Sequence, residues 1–175
     1  PASQMVRQGV YLLWRQKLLE NNTLLSVVTF PEDLFYPVGV YTCGIFIKKG
    51  VPHPENQKVL WIRALHDGLL KSKGKRLPNQ KAKDDYKVIK PILKSFIKDQ
   101  TIKIDSVPEF IKLSEIDHSD LTKELAPEAY LDEKEPSEED IKKRIEQSIR
   151  NSAAFIIKFG MEDEIQKVLQ EIDEL

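Results

Sequence analysis

The chain has 175 residues, 41% of them hydrophobic and 31% charged, with a net charge of -1 and a single cysteine. One Cys excludes an internal disulfide, and no apolar run approaches the ~20 residues that a membrane-crossing helix needs. The near-neutral total conceals a division: residues 1–100 carry 17 Lys and Arg against 8 Asp and Glu, and residues 101–175 carry 10 against 20.

That asymmetry suits a polyanion-facing half joined to a solvated or partner-facing half, although Lys-rich helices facing water would give the same count. An unpaired Cys43 within an apolar strand fits a reducing cytoplasm, and the start PASQM has no signal-peptide pattern.

In chain order, Met5–Glu20 spaces Val6, Val10, Leu13, Trp14 and Leu18 by three and four, which predicts an amphipathic helix stopped at Asn21-Asn22 in the left-handed conformation that Asn tolerates. Leu24–Thr29 and Val40–Ile47 are nearly continuous apolar runs, predicting two strands covered on both faces. Val59–Arg63 predicts another strand. Asp67–Gln80 mixes Gly68, Gly74 and Pro78 with basic residues and predicts an extended loop.

Asp84–Ile97 lines Val88, Ile89, Ile92, Leu93, Phe96 and Ile97 along one helical face, with Pro91 expected to kink the helix or shift its start. Thr101–Glu115 alternates weakly and predicts one or two short strands; Leu125–Pro136 reads as a linker. Ser137, followed by acidic residues, opens a long helix ended by Gly160, and a second helix runs from Glu162 to Leu175. The expected organisation is therefore 1–100, a connecting segment 101–136 and a helical appendage 137–175.

Few residues suggest chemistry. Between the first two strands the loop carries Phe35-Tyr36-Pro37 and then Gly39, two large aromatics with little local apolar company. They either plug the hairpin end or line a pocket. Lys71, Lys73, Lys75 and Arg76 sit in the basic stretch KSKGKR, where phosphate contacts and a solvated loop are equally good readings. His53, His66 and His118 lack partners at ligand spacing, so no metal site is expected. Asp84-Asp85 and Glu138-Glu139-Asp140 read as helix starts.

The segments RQKLLENN, LLSVVTFP, EDLFYPVGV, YTCGIFIKK and KVLWIRA resemble the C-terminal part of an adenine-specific (N6) DNA methyltransferase domain, above all that of the modification (M) subunits of type I restriction–modification systems. The resemblance covers residues 1–100 well and 101–135 more loosely. It departs from the family where Pro37-Val38-Gly39 stands in place of Asn-Thr-Gly.

The resemblance implies an α/β fold, the C-terminal part of a Rossmann-like methyltransferase domain with an antiparallel hairpin. It implies Phe35 as the stacking face for the target base, with Tyr36 a second wall and Gly39 a point of close backbone approach. S-adenosyl-L-methionine would be the cofactor of the complete enzyme. Neither the family's Gly-rich cofactor turn nor its Asn-Pro-Pro-Phe/Tyr loop occurs in this sequence, so the chain reads as a piece that is inactive alone and holds no cofactor itself.

DNA and a specificity (target-recognition) subunit or fused recognition domain are the partners implied, with oligomerisation through 162–175 a further expectation. The competing reading is a non-catalytic DNA-binding or subunit-docking module.

Overall fold

The computed structural model describes residues 1–102 and 107–132, and beyond them Glu138, Ile141, Lys142, Ile145, Glu146 and Gly160. It divides into two compact units, residues 1–132 and 133–175. In chain order the first unit contains α1 (Val10–Asn21), β1 (Asn22–Thr29), β2 (Cys43–Lys49), β3 (Val59–Arg63), β4 (Leu69–Ser72), β5 (Lys75–Pro78), α2 (Tyr86–Asp99) and β6 (Ile111–Ser114).

Four strands form one mixed sheet in the order β2-β1-β3-β6. β1 pairs antiparallel with β2 and parallel with β3, and β3 pairs antiparallel with β6. The side chains of β1 feed two cores. Leu24 and Val27 pack with Met5, Val59, Trp61, Ile116 and Leu125; Val28 packs with Leu60, Ile62, Ile89, Ile92 and Phe96.

Strict alternation would put Leu24 and Val27 on opposite faces. They share one because Leu24 pairs with Ile47 and Ser26 with Phe46, so Leu25 bulges out of register. Each fully buried Leu or Ile here gains roughly 1.5–3 kcal/mol from leaving water. The two inner strands therefore anchor the unit.

β2 corrects an expectation. It is an edge strand, half-buried over Cys43–Phe46 and exposed over Ile47–Lys49, so only β1 of the pair is covered on both faces. Its strand also starts later than expected, because residues up to Thr42 belong to the preceding loop.

α1 corrects a second. Met5 lies in a separate 3-10 turn, Ala2–Met5, and Gly9 at φ +69 breaks the path before the helix begins at Val10. Of the expected stripe only Leu18 packs on the core; Val10 is 70% and Leu13 58% exposed. The inward side is Arg15, Leu18 and Leu19. The helix does stop at Asn21-Asn22, but by another means. Both side-chain amides donate to carbonyls of the last turn, Asn21 Nδ2 to Lys17 O at 2.8 Å and Asn22 Nδ2 to Leu18 O at 3.0 Å, and Asn22 continues in extended backbone.

The loop expected over 67–80 is a two-stranded hairpin, β4 with β5. Its turn is Lys73-Gly74, both at positive φ (49 and 73), the backbone that two-residue hairpin turns require. α2 begins at Tyr86, and Pro91 sits inside it. Ile89, Ile92 and Phe96 are buried against the sheet, whereas Val88 and Ile97 are exposed.

The first compact unit continues past residue 100 to Asp132. β6 completes the sheet, and Leu125, Ala126 and Pro127 are buried beyond it. Tyr130 stacks on the buried Trp61 with ring centroids 3.8 Å apart. In the second unit Glu138, Ile141, Lys142, Ile145 and Glu146 are helical and Gly160 takes φ +60. The helices expected over 137–160 and 162–175 otherwise lie outside the described residues.

Candidate functional site

The chain leaves β1 at Phe30 and re-enters the sheet at Cys43, and the loop between is closed at both ends. Phe30 N–H donates to Thr42 O at 3.0 Å, and Val40 N–H donates to Glu32 O at 3.1 Å. Inside that frame Glu32–Phe35 makes one 3-10 turn, opened by two acidic residues, and Tyr36-Pro37 is a cis peptide.

The loop walls an open depression of about 500 Å³, lined by Pro31, Glu32, Asp33, Tyr36, Pro37, Val38, Gly39 and Tyr41 together with Ala64 and Leu65 from the end of β3. Tyr36 and Gly39 thus face one cavity. Phe35 does not line it; the residue is 55% exposed. A methyl group at Gly39 would meet Glu32 Oε1 at an ordinary 3.5 Å, so nothing within the chain itself demands glycine there.

The four basic residues of the β4–β5 hairpin divide into two pairs. Lys73 and Lys75 are exposed, at and beside the turn, with no ion pair among the described residues. Lys71 and Arg76 are engaged. Lys71 Nζ lies 2.9 Å from Asp33 Oδ1 and 2.8 Å from Asp67 Oδ1. Arg76 Nη1 donates to Leu34 O at 2.6 Å, and its Nη2 is 4.0 Å from Asp67 Oδ2.

Burial by itself would raise the Asp67 carboxyl pKa, but the hydrogen bonds from Lys71 and the Leu69 N–H, with the charges of Lys71 and Arg76, hold it below the usual carboxylate range. Burial would lower Lys71, and its bonds to Asp67 and Asp33 hold it above the usual range. Tyr86, 6.5 Å from Phe30 between ring centroids, is pushed up to about 12 by burial and by the charges of Asp67, Asp84 and Asp85.

Sequence reasoning missed Asp67 and Asp33 because each is an ordinary loop carboxylate until the hairpin folds. It read Asp84-Asp85 as a helix start. Asp85 precedes α2 as expected, but its Oδ2 accepts from the N–H groups of both Leu65 and His66 at 2.9 Å, tying the end of β3 to the helix. A further basic surface also escaped notice. Lys87, Lys90, Lys94 and Lys98 are exposed on the side of α2 opposite Ile89, Ile92 and Phe96, without ion pairs among the described residues.

Burial pushes the Cys43 thiol pKa up, which keeps it protonated and poorly nucleophilic. Among the described residues no three His, Cys, Asp or Glu side chains gather as metal ligands.

The model of the family described as N-6 DNA Methylase matches residues 1–139. The type II restriction enzyme and methyltransferase RM.BcgI of Heyndrickxia coagulans is 38% identical over 69 residues, 39% of this chain. The chain spans only 11% of that relative's length.

Among solved structures, one from a study of complex assembly and conformational transition in a type I restriction–modification system matches 94% of this chain and 34% of its own, at 18% identity and a TM-score of 0.50. That likeness is one of fold; with the family match over residues 1–139, the mixed sheet and its helices are a partial methyltransferase α/β fold. A type I methyltransferase subunit from Streptococcus thermophilus matches 66% of this chain and 21% of its own, at 21% identity and a TM-score of 0.44.

Proposed function

The chain belongs to the N-6 DNA methylase family, and on that premise we propose that its first unit forms the target-base and DNA-facing part of an adenine-specific (N6) methyltransferase in a restriction–modification system. The observation that carries the reading is Phe35, a large aromatic left more than half exposed on a loop whose framework is otherwise tied down at both ends. Leaving such a ring in water forfeits burial energy unless a ligand covers it.

An adenine amine cannot be reached inside the duplex, so the base is rotated out and stacked on side chains instead. Each base–aromatic stack is worth about 1–3 kcal/mol. Phe35 offers the face for that stack, and Tyr36, which lines the depression that Phe35 does not, would contact the nucleotide from there. Gly39, which lines the depression, would let a nucleotide approach the backbone.

Phosphates would be met by Lys73 and Lys75 at the hairpin turn and by the outer lysines of α2, which position the duplex without reading its sequence. Lys71 and Arg76 belong to that basic surface in sequence, but each already has partners within the chain: Lys71 in Asp33 and Asp67, and Arg76 in Leu34 O.

S-adenosyl-L-methionine would supply the methyl group in the complete enzyme. No strand-to-helix turn among the described residues presents a glycine-lined cradle for it; Gly68, between β3 and α2, is filled at its Cα by Asp84, whose Cβ is 2.9 Å from where a side chain would start. In this reading, cofactor binding and methyl transfer would belong to the rest of the methylase domain, as the family resemblance implies. The exposed face of α1, Val10, Leu13 and Trp14, is where that remainder would pack. A specificity subunit or fused recognition domain would choose the site on DNA, and residues 162–175 are a candidate contact between chains.

The reading is tested in the complete methylase that carries this segment. Phe35→Ala should lower kcat/KM on duplex DNA by roughly 10- to 100-fold, the equivalent of one lost stack of about 1–3 kcal/mol. On DNA whose target adenine is mispaired, extrusion already costs less, so the defect should shrink. An equal defect on both substrates would remove Phe35 from base extrusion, and an unaltered rate would remove it from the site.

A further inference from the structure

In the β4–β5 ladder Lys71 stands directly opposite Arg76. Two like charges paired across a hairpin repel each other, and an isolated two-stranded sheet is marginal at best. Yet here the cationic pair lies over Asp67, whose side chain is only 4% exposed, and reaches across to the aromatic loop. A carboxylate so buried needs partners. It has Lys71 at 2.8 Å, Leu69 N–H at 3.0 Å and Arg76 at 4.0 Å.

The donors left over go to the loop at two consecutive residues, the Asp33 carboxylate and the Leu34 carbonyl, immediately before Phe35. The base of the hairpin is fixed in turn by Gly68 N–H to Lys83 O at 3.0 Å and Asn79 N–H to Gly68 O at 3.2 Å.

We infer that the β4–β5 hairpin is a latch on the aromatic loop, in which Lys71 and Arg76 are positioning residues that grip Asp33 and the Leu34 carbonyl and thereby set where Phe35 stands. Asp67 is the counter-charge that lets both cations lie side by side. One contact is a carboxylate that substitution can remove; the other is main chain and persists whatever side chain stands at 34. What the latch does for the reaction rests on the reading of Phe35 as a stacking wall. The latch itself is a property of this chain alone.

Hydrogen exchange on this chain, followed by mass spectrometry over residues 30–42, tests the latch directly. Asp33→Asn and Lys71→Met should each speed exchange of the loop amides, Asp33→Asn by about two- to fivefold, the scale of an ion pair whose carboxylate is half exposed. The double variant should go little beyond Lys71→Met alone, because the Lys71–Asp33 contact is already lost there. Lys71→Met strands Asp67 and can unfold the hairpin; Asp33→Asn leaves the Lys71–Asp67 pair intact and keeps the test clean. Unaltered loop exchange in Asp33→Asn overturns the latch.

In the complete methylase, the salt dependence of DNA binding separates latch from phosphate contact. Each lost phosphate contact reduces the slope of log K against log salt by about 0.9. Lys71→Met should leave that slope unchanged; a reduction of that size would return Lys71 to the phosphates and overturn the inference. Faster loop exchange in Asp33→Asn with undiminished methylation would keep the latch and discard the stacking role of Phe35.

Discussion

Arg15 is fully buried, and among the described residues its guanidinium meets backbone carbonyls instead of a carboxylate. Nε donates to Lys123 O and Nη2 to Thr122 O, both at 2.7 Å, while Nη1 donates to Gln4 O at 2.7 Å and Arg7 O at 2.8 Å. Burial pulls its pKa down, and the more distant charges of Glu124 and Asp120 oppose that. One side chain thus joins α1 to the N-terminal turn and to the segment before Leu125. Arg15→Met would leave four carbonyls unsatisfied and should lower unfolding free energy by about 3 kcal/mol or more in urea titration. Arg15→Lys should recover little, since an ammonium lacks the planar fork that reaches them together. A loss near zero for Arg15→Met would mean that water replaces the guanidinium at no cost.

His53 gives the chain a pH dependence. Its Nδ1 accepts the Leu24 N–H at 3.1 Å, so the ring is held neutral at that nitrogen. Burial, and then the charge of His118, push its pKa down from 6.5 to about 4. The unfolded chain therefore takes up the proton first. The stability linked to His53 is full above pH 6.5 and is lost as pH falls toward 4. His53→Gln should flatten the stability curve between those limits in denaturant titrations at stepped pH. An unchanged slope would place the acid sensitivity elsewhere.

At the scale of elements, what could be read from sequence was what apolar pattern encodes. The run Leu24–Thr29 is a buried strand as expected, and of the expected stripe Val88, Ile89, Ile92, Leu93, Phe96 and Ile97 the helix buries Ile89, Ile92 and Phe96 but leaves Val88 and Ile97 exposed. Pattern failed where polar bonds decide. Apolar spacing in α1 pointed to Val10, Leu13 and Trp14, but the Arg15 hydrogen bonds turn another side inward. The hairpin was hidden because KSKGKRLP shows no alternation of apolar residues, and Lys73 at positive φ is not the Asn or Asp that usually marks such a turn. Phe35 and Tyr36 were legible by resemblance, whereas the partners of Lys71 and Arg76 come from loops far away in sequence. Composition alone could not tell a lysine free for phosphate from one already paired.

For the whole molecule, the first unit has a closed interior and unfinished surroundings. Two cores cover both faces of β1 and β3, while α1 leaves Val10 and Leu13 in water and β2 ends the sheet half-exposed. The chain spans 34% of the length of the type I restriction–modification structure it matches, and in the proposed reading the rest of the methylase domain would cover those apolar faces. The basic residues concentrated before residue 100 then lie on the same unit as the aromatic loop, which is the arrangement a DNA-facing half requires.

The central claim, that the loop after β1 receives the extruded base, is tested most directly by photocrosslinking. The target adenine is replaced with 5-iodouracil, which crosslinks to aromatic rings stacked on it, in duplex DNA bound to the complete methylase. Irradiation followed by peptide mapping should join the target nucleotide to Phe35 or Tyr36, and the same probe one position away should not react there. Crosslinks that map only outside residues 30–42 would contradict the account.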